Sequence, residues 1–247
     1  MKLVLSDINY LKSSIEIIHG LVIEARFNFN KEGISLLSMD PASVCFIYFK
    51  LLKSAFNTYD LDNDLDICLK VIDLKNVLKK SSETDLLVIE YNEPILTLTL
   101  KGKTKKIFDI NTIELEDNNI KEPNLKFDCN ISTKSLYFKE AVNTCDINNE
   151  GESVIIKVDS EKLTFSSEHH NNKATNIIKT SKDVEIKCEK ESETKISIDY
   201  LKKIVEGCKL SDEIELSISN DYPFKISYKI PNKVQLWFLI APRVSNE

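Results

Sequence analysis

The stretches "LKNVLKKSSETDLLVIE" (74–90) and "LKKIVEGCKLSDEIELS" (201–217) share one outline, 127 positions apart (201 − 74) in a chain of 247 residues. Each opens on Leu-Lys, places apolar residues one turn on, crosses a Ser-Asp stretch and ends in an alternating run. The opening spacing is that of a helix with one buried face, and the alternation is that of a half-buried strand. A helix-then-strand unit recurring at about half the chain length marks an internal duplication.

The duplication extends outward from this pair. Upstream, Ile8, Leu11, Ile15, Ile18 and Val22 step by three and four residues, which predicts an amphipathic helix with Asp7 as its N-cap. "EARFNFN" and "GISLLSM" read as strands around the turn "NKEG", followed by "SVCFIYFKL" and "LDICLK". After the helix bearing Val71, Leu74, Val77 and Leu78 come "LLVIEY", "ILTLTL" and "KKIFDI". The second half repeats the order. "KFDCNIS" is a strand, and a helix places Phe138, Ala141, Val142 and Cys145 on one face. "SVIIKVDSEKLTFSS" is a hairpin, and "NIIKTS", "VEIKCE" and "TKISID" are strands. The helix with Leu201, Ile204 and Val205 then precedes "EIELSI", "FKISYKI" and "KVQLWFLI". The expected fold class is α+β, two tandem copies of one module with two helices each. The domains are 1–112 and 128–247, joined by a charged connector at 113–127 that carries Glu114, Glu116, Asp117 and Glu122.

Composition narrows the function. A 42% hydrophobic and 29% charged chain is globular, and no apolar run approaches the roughly 20 residues of a membrane span. The start "MKLVLSDINYLKSS" is too short in apolar residues for a signal peptide, so an intracellular protein is expected. Cys45, Cys68, Cys129, Cys145, Cys188 and Cys208 are scattered without a C-x-x-C pair and are expected to be buried thiols. Gly20, Gly33, Gly102, Gly151 and Gly207 lie far apart, so neither a dinucleotide fingerprint nor a P-loop can be assembled. No metal-ligand spacing and no nucleophile motif occurs; His169 and His170 sit in a polar loop. No catalytic residue, metal or cofactor is therefore expected.

With 33 basic against 39 acidic residues and a net charge of −6, the chain is acidic overall. Its helices nevertheless carry lysines opposite their apolar stripes. The basic residues are Lys12 and His19 on the first helix, and Lys75, Lys79 and Lys80 on the second. Lys134 and Lys139 belong to the third, and Lys202, Lys203 and Lys209 to the fourth. Four helices in equivalent repeat positions concentrate positive charge on one surface of an acidic protein.

Several segments resemble the proliferating cell nuclear antigen (PCNA) family of DNA sliding clamps. "GISLLSMDPASVCFIYFKL" (33–51) is similar to the family's strand–turn–strand segment with Ser-Met-Asp, and "AFNTYDLD" (55–62) to the segment after it. "DYLKKIVEGCKLSDEIELSISNDYPFKISYKIPNKVQLWFLIAPRV" (199–244) follows the closing pattern through Asp-x-Pro to Ala-Pro-basic. "FSSEHHNN" (165–172) departs from the usual Gly-containing turn, and Ser13 and Ser14 stand where a further basic residue is common.

The resemblance implies a ring of three chains, with antiparallel sheets outside and the helices inside around duplex DNA. It implies a processivity factor, not an enzyme, that contacts phosphates without reading sequence. The ten basic residues named above are the DNA-facing ones. Implied partners are DNA polymerase, the clamp loader, flap endonuclease and DNA ligase, all docking through short motifs, with roles in replication and repair. The implied motif pocket comprises Met39, Val44, Phe46, Ile120, Pro123, Pro223, Leu239, Ala241 and Pro242. Subunit contact is implied between 105–111 and 173–181, through Phe108, Ile177 and Ile178. Glu140 and Glu206 make the helices less basic than is usual in the family, which leaves a subunit of a heterotrimeric, checkpoint-type clamp as the alternative. Ser-Met-Asp and the closing segment lean towards a eukaryotic, nuclear protein; an archaeal one would be cytoplasmic.

Overall fold

The computed structural model describes residues 1–116, 120–147 and 152–243; Asp117, Gly151 and Val244 lie outside them. Among the described residues the chain begins with β1 (Lys2–Leu5), α1 (Asn9–His19), β2 (Glu24–Asn30), β3 (Gly33–Met39) and β4 (Cys45–Leu52). It continues with β5 (Thr58–Asp60), β6 (Leu65–Lys70), α2 (Val71–Lys79), β7 (Leu86–Asn92), β8 (Ile95–Lys101) and β9 (Lys105–Asn111). The series then starts again with β10 (Cys129–Lys134), α3 (Ser135–Cys145), β11 (Ser153–Val158), β12 (Lys162–His169) and β13 (Asn172–Lys179). It closes with β14 (Val184–Cys188), β15 (Ser192–Ser197), α4 (Ile198–Ile204), β16 (Glu213–Ile218), β17 (Phe224–Ile230) and β18 (Val234–Ile240).

The spacing seen in the sequence is the spacing of the elements. The starts of α2 and α4 (198 − 71), of β7 and β16 (213 − 86) and of β6 and β15 (192 − 65) are all 127 residues apart. Strand order repeats too. The runs β5-β1-β7-β8-β9 and β14-β10-β16-β17-β18 correspond, as do β4-β3-β2-β6 and β13-β12-β11-β15. Pairing is antiparallel, as short hairpin connections require. The chain divides into two compact units. One comprises Met1–Pro41, Ile47–Glu122 and Ile230–Leu236; the other comprises Ala42–Phe46, Pro123–Lys229 and Trp237–Glu247.

In the first unit the stripe of α1 buries Leu11, Ile15 and Ile18, and that of α2 buries Val71, Leu74, Val77 and Leu78. Ser14 is buried with them, and its hydroxyl donates to the Tyr10 carbonyl at 2.8 Å, so it leaves no orphaned polar group. In the second unit Phe138, Ala141, Val142 and Cys145 of α3 are fully buried, with the Phe138 ring 5.9 Å from that of Phe165. Each such large side chain contributes about 1.5–3 kcal/mol of burial. The β2–β3 turn depends on Gly33, whose φ of +142° few side chains tolerate and whose Cβ would lie 2.1 Å from the Leu51 carbonyl oxygen.

Several expectations need correction. The N-cap of α1 is Ile8, without a side-chain cap; Asp7 instead accepts the Asn9 amide at 3.1 Å, one residue out of step. Val22 lies beyond the helix, whose C-cap is Gly20. The apolar start of the chain is the strand β1, and β13 begins four residues before "NIIKTS". The fourth helix has only seven α-helical residues, then tightens into a 3-10 turn at Val205–Lys209. Not all cysteines are thiols. The β10–β14 register sets Cys129 opposite Cys188 with Cα atoms 4.0 Å apart, and the two form a disulfide. Cys45, Cys68, Cys145 and Cys208 are free, and only Cys45 and Cys145 of these are buried. The Cys145 thiol is pushed up to about 11 by burial, opposed by its hydrogen bond with Ser167.

Candidate nucleic-acid interface

In the first unit α1 and α2 lie against each other, with their lysines on the polar sides. His19, at the last turn of α1, locates this face. Its pKa is held below the ordinary imidazole value by burial first, then by the charges of Lys75 and Lys79, with Glu16 opposing. The imidazole is thus neutral at pH 7, and its buried Nδ1 has no hydrogen-bond partner among the described residues. Lys12 and Lys75 are half-buried, whereas Lys79 and Lys80 are exposed. Among the described residues none of these four lysines forms an ion pair. Beyond the lysines, Lys106 on β9 donates to the Lys80 carbonyl at the end of α2 (2.9 Å) and pairs with buried Asp85 at 3.3 Å. Asp85 also accepts the Ser82 amide at 3.0 Å, so the loop that ends α2 is tied down from two sides. Sequence spacing gave no sign of this support, because it joins residues 21 and 26 apart.

The second unit places its basic residues on α3, on α4 and at their margins, but in different company. Lys134 pairs with Glu213 at 3.2 Å, and that hydrogen bond raises the lysine's pKa. Lys202 pairs with Asp146 at 2.7 Å. Lys139, at 3.8 Å, and Lys209 converge on the single carboxylate of Glu206. Lys203 lies 5.6 Å from the centre of the Tyr200 ring. Glu206 is held below the usual carboxylate range, first by its hydrogen bond from Lys209, with burial opposing and the charges of Lys209 and Lys139 adding.

The connector is anchored at both ends. In the first unit Ile113 donates its amide to the Cys68 carbonyl at 2.9 Å, and Arg26 reaches the Leu115 carbonyl at 2.7 Å. In the second, Asp128 donates to Ser219 at 2.8 Å, and the Phe127 and Tyr222 rings meet edge to face at 5.5 Å.

The pocket residues expected from the resemblance are distributed unevenly. Met39 is exposed and Ile120 half-buried, both within the first unit. The second unit brings the tail to the 42–46 segment: the Ala241 amide donates to the Val44 carbonyl at 2.9 Å. Val44, Pro123, Pro223 and Pro242 are half-buried and Ala241 exposed. Phe46 and Leu239 are each only 6% exposed, so they back this surface and do not present much of it. Phe46 stacks on Trp237, centroids 5.4 Å apart, and Lys225 caps that indole at 4.6 Å. Trp237 and Lys225 were not singled out from sequence; the one tryptophan of the chain, alternating with Leu239 on a strand, was the available signal.

The two expected subunit-contact segments are both edge strands: among the described residues β9 pairs only with β8, and β13 only with β12. Successive residues point to opposite faces, so Ile177 and Ile178 cannot share a role. Ile177 is 53% exposed, whereas Ile178 is buried opposite Leu163. On β9 Ile107, which sequence reasoning passed over, is 55% exposed, and Phe108 is half-buried.

A duplicated α+β module, with lysines on the helices of both copies, defines the sliding-clamp class. The family models for the N-terminal and C-terminal domains of proliferating cell nuclear antigen match residues 1–122 and 121–243. The chain belongs to the proliferating cell nuclear antigen family. Among its relatives is a DNA polymerase sliding clamp of Nanoarchaeum equitans, 29% identical across 98% of this chain and 99% of that protein. DNA polymerase sliding clamp 1 of Thermococcus kodakarensis is also 29% identical, with 91% of each chain covered. A crystal structure of PCNA from Thermococcus kodakaraensis has the same fold, with a TM-score of 0.91 at 23% identity over 98% of this chain and 99% of that one.

Proposed function

We propose that the chain is a DNA sliding clamp, a non-enzymatic processivity factor that tethers a replicative polymerase to duplex DNA. The observation that carries this is the match of both clamp-domain models, end to end, over a repeat whose helices all bear lysines. Three copies closing edge to edge place six modules around the duplex, and the near-equivalence of the two units supplies that symmetry. Retention then follows from enclosure, which accounts for a net charge of −6 in a protein that works on a polyanion.

The domains are 1–112 and 128–247, with 113–127 as the connector. Subunits join through β9 and β13, where the exposed Ile107 and Ile177 support an apolar contact along two unpaired edges. Polymerase, clamp loader, flap endonuclease and ligase dock by short motifs beside the connector. In the second unit the exposed Ala241 and half-buried Val44, Pro123, Pro223 and Pro242, with Phe46 and Leu239 nearly buried, support this reading, as do exposed Met39 and half-buried Ile120 in the first. Among the described residues no helix is long and apolar enough to cross a membrane. The archaeal relatives favour the cytoplasmic reading over the nuclear one.

Light scattering of the purified chain tests the assembly. The expected mass is about three times 28.3 kDa. A persistent 28.3 kDa monomer at micromolar concentration would replace the homotrimer with the mixed ring.

A further inference from the structure

The ten residues proposed to face DNA divide evenly between the two units, but their charge is not equally available. On α1 and α2, with Lys80, four lysines stand beside Glu16 and Asp73, with Asp7 and Asp85 at the margins, and none of the four is paired among the described residues. On α3, α4 and their margins, five lysines stand beside five carboxylates: Glu140, Asp146, Asp199, Glu206 and Glu213. Four of those five lysines are in ion pairs, and Glu206 alone takes two of them. Asp146 is mostly buried at the end of α3, and Glu206 lies in the 3-10 turn after α4. Asp146 is thus largely screened from solvent, whereas Glu206, with its side chain 37% exposed, is held by its two lysine partners.

We infer that the two units contact DNA unequally: the α1–α2 face makes the phosphate contacts, while Glu206, shared by Lys139 and Lys209, acts with Asp146 and Glu213 to offset the lysines of the α3–α4 face and keep it electrostatically weak. This rests on the sliding-clamp reading above. The physical reason is competition. A phosphate oxygen approaching Lys12, Lys75, Lys79 or Lys80 displaces only water and counterions, and releasing those counterions drives binding. A phosphate approaching Lys139 or Lys209 meets an ammonium already shared with a carboxylate, whose negative charge opposes it and has already taken the place of counterions. Such a contact releases fewer counterions and adds little affinity. His19 belongs to the same face: burial first, and the charges of Lys75 and Lys79 second, hold its pKa down, and a phosphate beside those lysines would offset only the second of these.

The test is binding of a short DNA duplex by the intact assembly, followed by fluorescence anisotropy across a salt series, with the mass of each variant checked by light scattering. Lys75→Gln with Lys79→Gln is expected to lower low-salt affinity about tenfold and to reduce the slope of log K against log salt by at least about one contact. Lys139→Gln with Lys209→Gln should change affinity less than about twofold and leave the slope alone. Glu206→Gln, which keeps the shape and removes the charge, should raise affinity about threefold and steepen the slope. Equal losses from the two lysine pairs, or no gain from Glu206→Gln, would overturn the inference. Wild-type protein that stays on closed circular DNA but shows no salt-dependent duplex binding would overturn it too, leaving the clamp reading intact. Failure to stay on closed circles would overturn both.

Discussion

Reversing the charge of Lys75 and Lys79 to Glu is expected to abolish productive contact with duplex while leaving the assembly whole. Both residues lie on the polar side of α2, whose apolar stripe of Val71, Leu74, Val77 and Leu78 is buried independently of them. Among the described residues neither takes part in an ion pair that the change would break. The folded unit therefore has little to lose, and surface changes of this kind usually fall within about 0.5 kcal/mol. The effect on DNA is of another size. Each substitution exchanges an attractive charge for a repulsive one on the face whose lysines are unpaired among the described residues, so low-salt duplex affinity should fall by about two orders of magnitude. Anisotropy measures that fall, and an assembly mass unchanged from the parent's by light scattering separates it from misassembly. Unaltered duplex affinity in the doubly reversed protein would remove α2 from the DNA-facing surface.

A large effect on stability is expected from a single methyl group. Gly207, in the 3-10 turn after α4, has its Cβ position 2.3 Å from the Tyr228 ring. That ring is fully buried, and its hydroxyl donates to the Ile204 carbonyl at 2.9 Å, so it cannot move aside without breaking the bond that ends α4. Two effects oppose each other in Gly207→Ala. Removing a glycine from a helical turn favours the folded state by about 1 kcal/mol. Forcing a methyl into a filled core costs about 1–3 kcal/mol, and the upper part of that range applies where the neighbour is pinned. Net destabilisation of about 2 kcal/mol is expected, seen as a lower urea midpoint at fixed protein concentration. Tyr228→Phe, which deletes only the hydroxyl, should cost about 1 kcal/mol. A Gly207→Ala protein as stable as the parent would mean that Tyr228 is not locked against this turn.

The features legible in the sequence were those carried by local periodicity. The stripes of α1, α2 and α3 named their buried residues, and the equal offsets of α2 and α4, β7 and β16, and β6 and β15 are the quoted repeat seen in three dimensions. What stayed hidden depended on register or on distant partners. The bond between Cys129 and Cys188 follows from how β10 meets β14, across 59 residues of chain. Lys106 supports the end of α2 from a strand that sequence alone gave no reason to connect with it. In the same way "NIIKTS" revealed an apolar strand, but which of Ile177 and Ile178 faces outward depends on the pairing of Leu163 with Ile178. The lysines were found by type and helix position; their ion pairs, which distinguish one unit from the other, could not be. Short elements also escaped, since β1 and β5 have four and three residues, too few for a period to show.

The central claim is that duplex is held by enclosure, with contacts too weak to hold it unaided. The direct measurement is the residence time of the loaded protein on a nicked circular plasmid before and after one cut by a restriction enzyme at moderate salt. On the intact circle the protein should remain bound through gel filtration, and after linearisation it should run off the free ends and elute separately. Equal retention on the circle and on the cut DNA would contradict the account, because a protein that stays when an exit is open is bound to the surface and does not surround it.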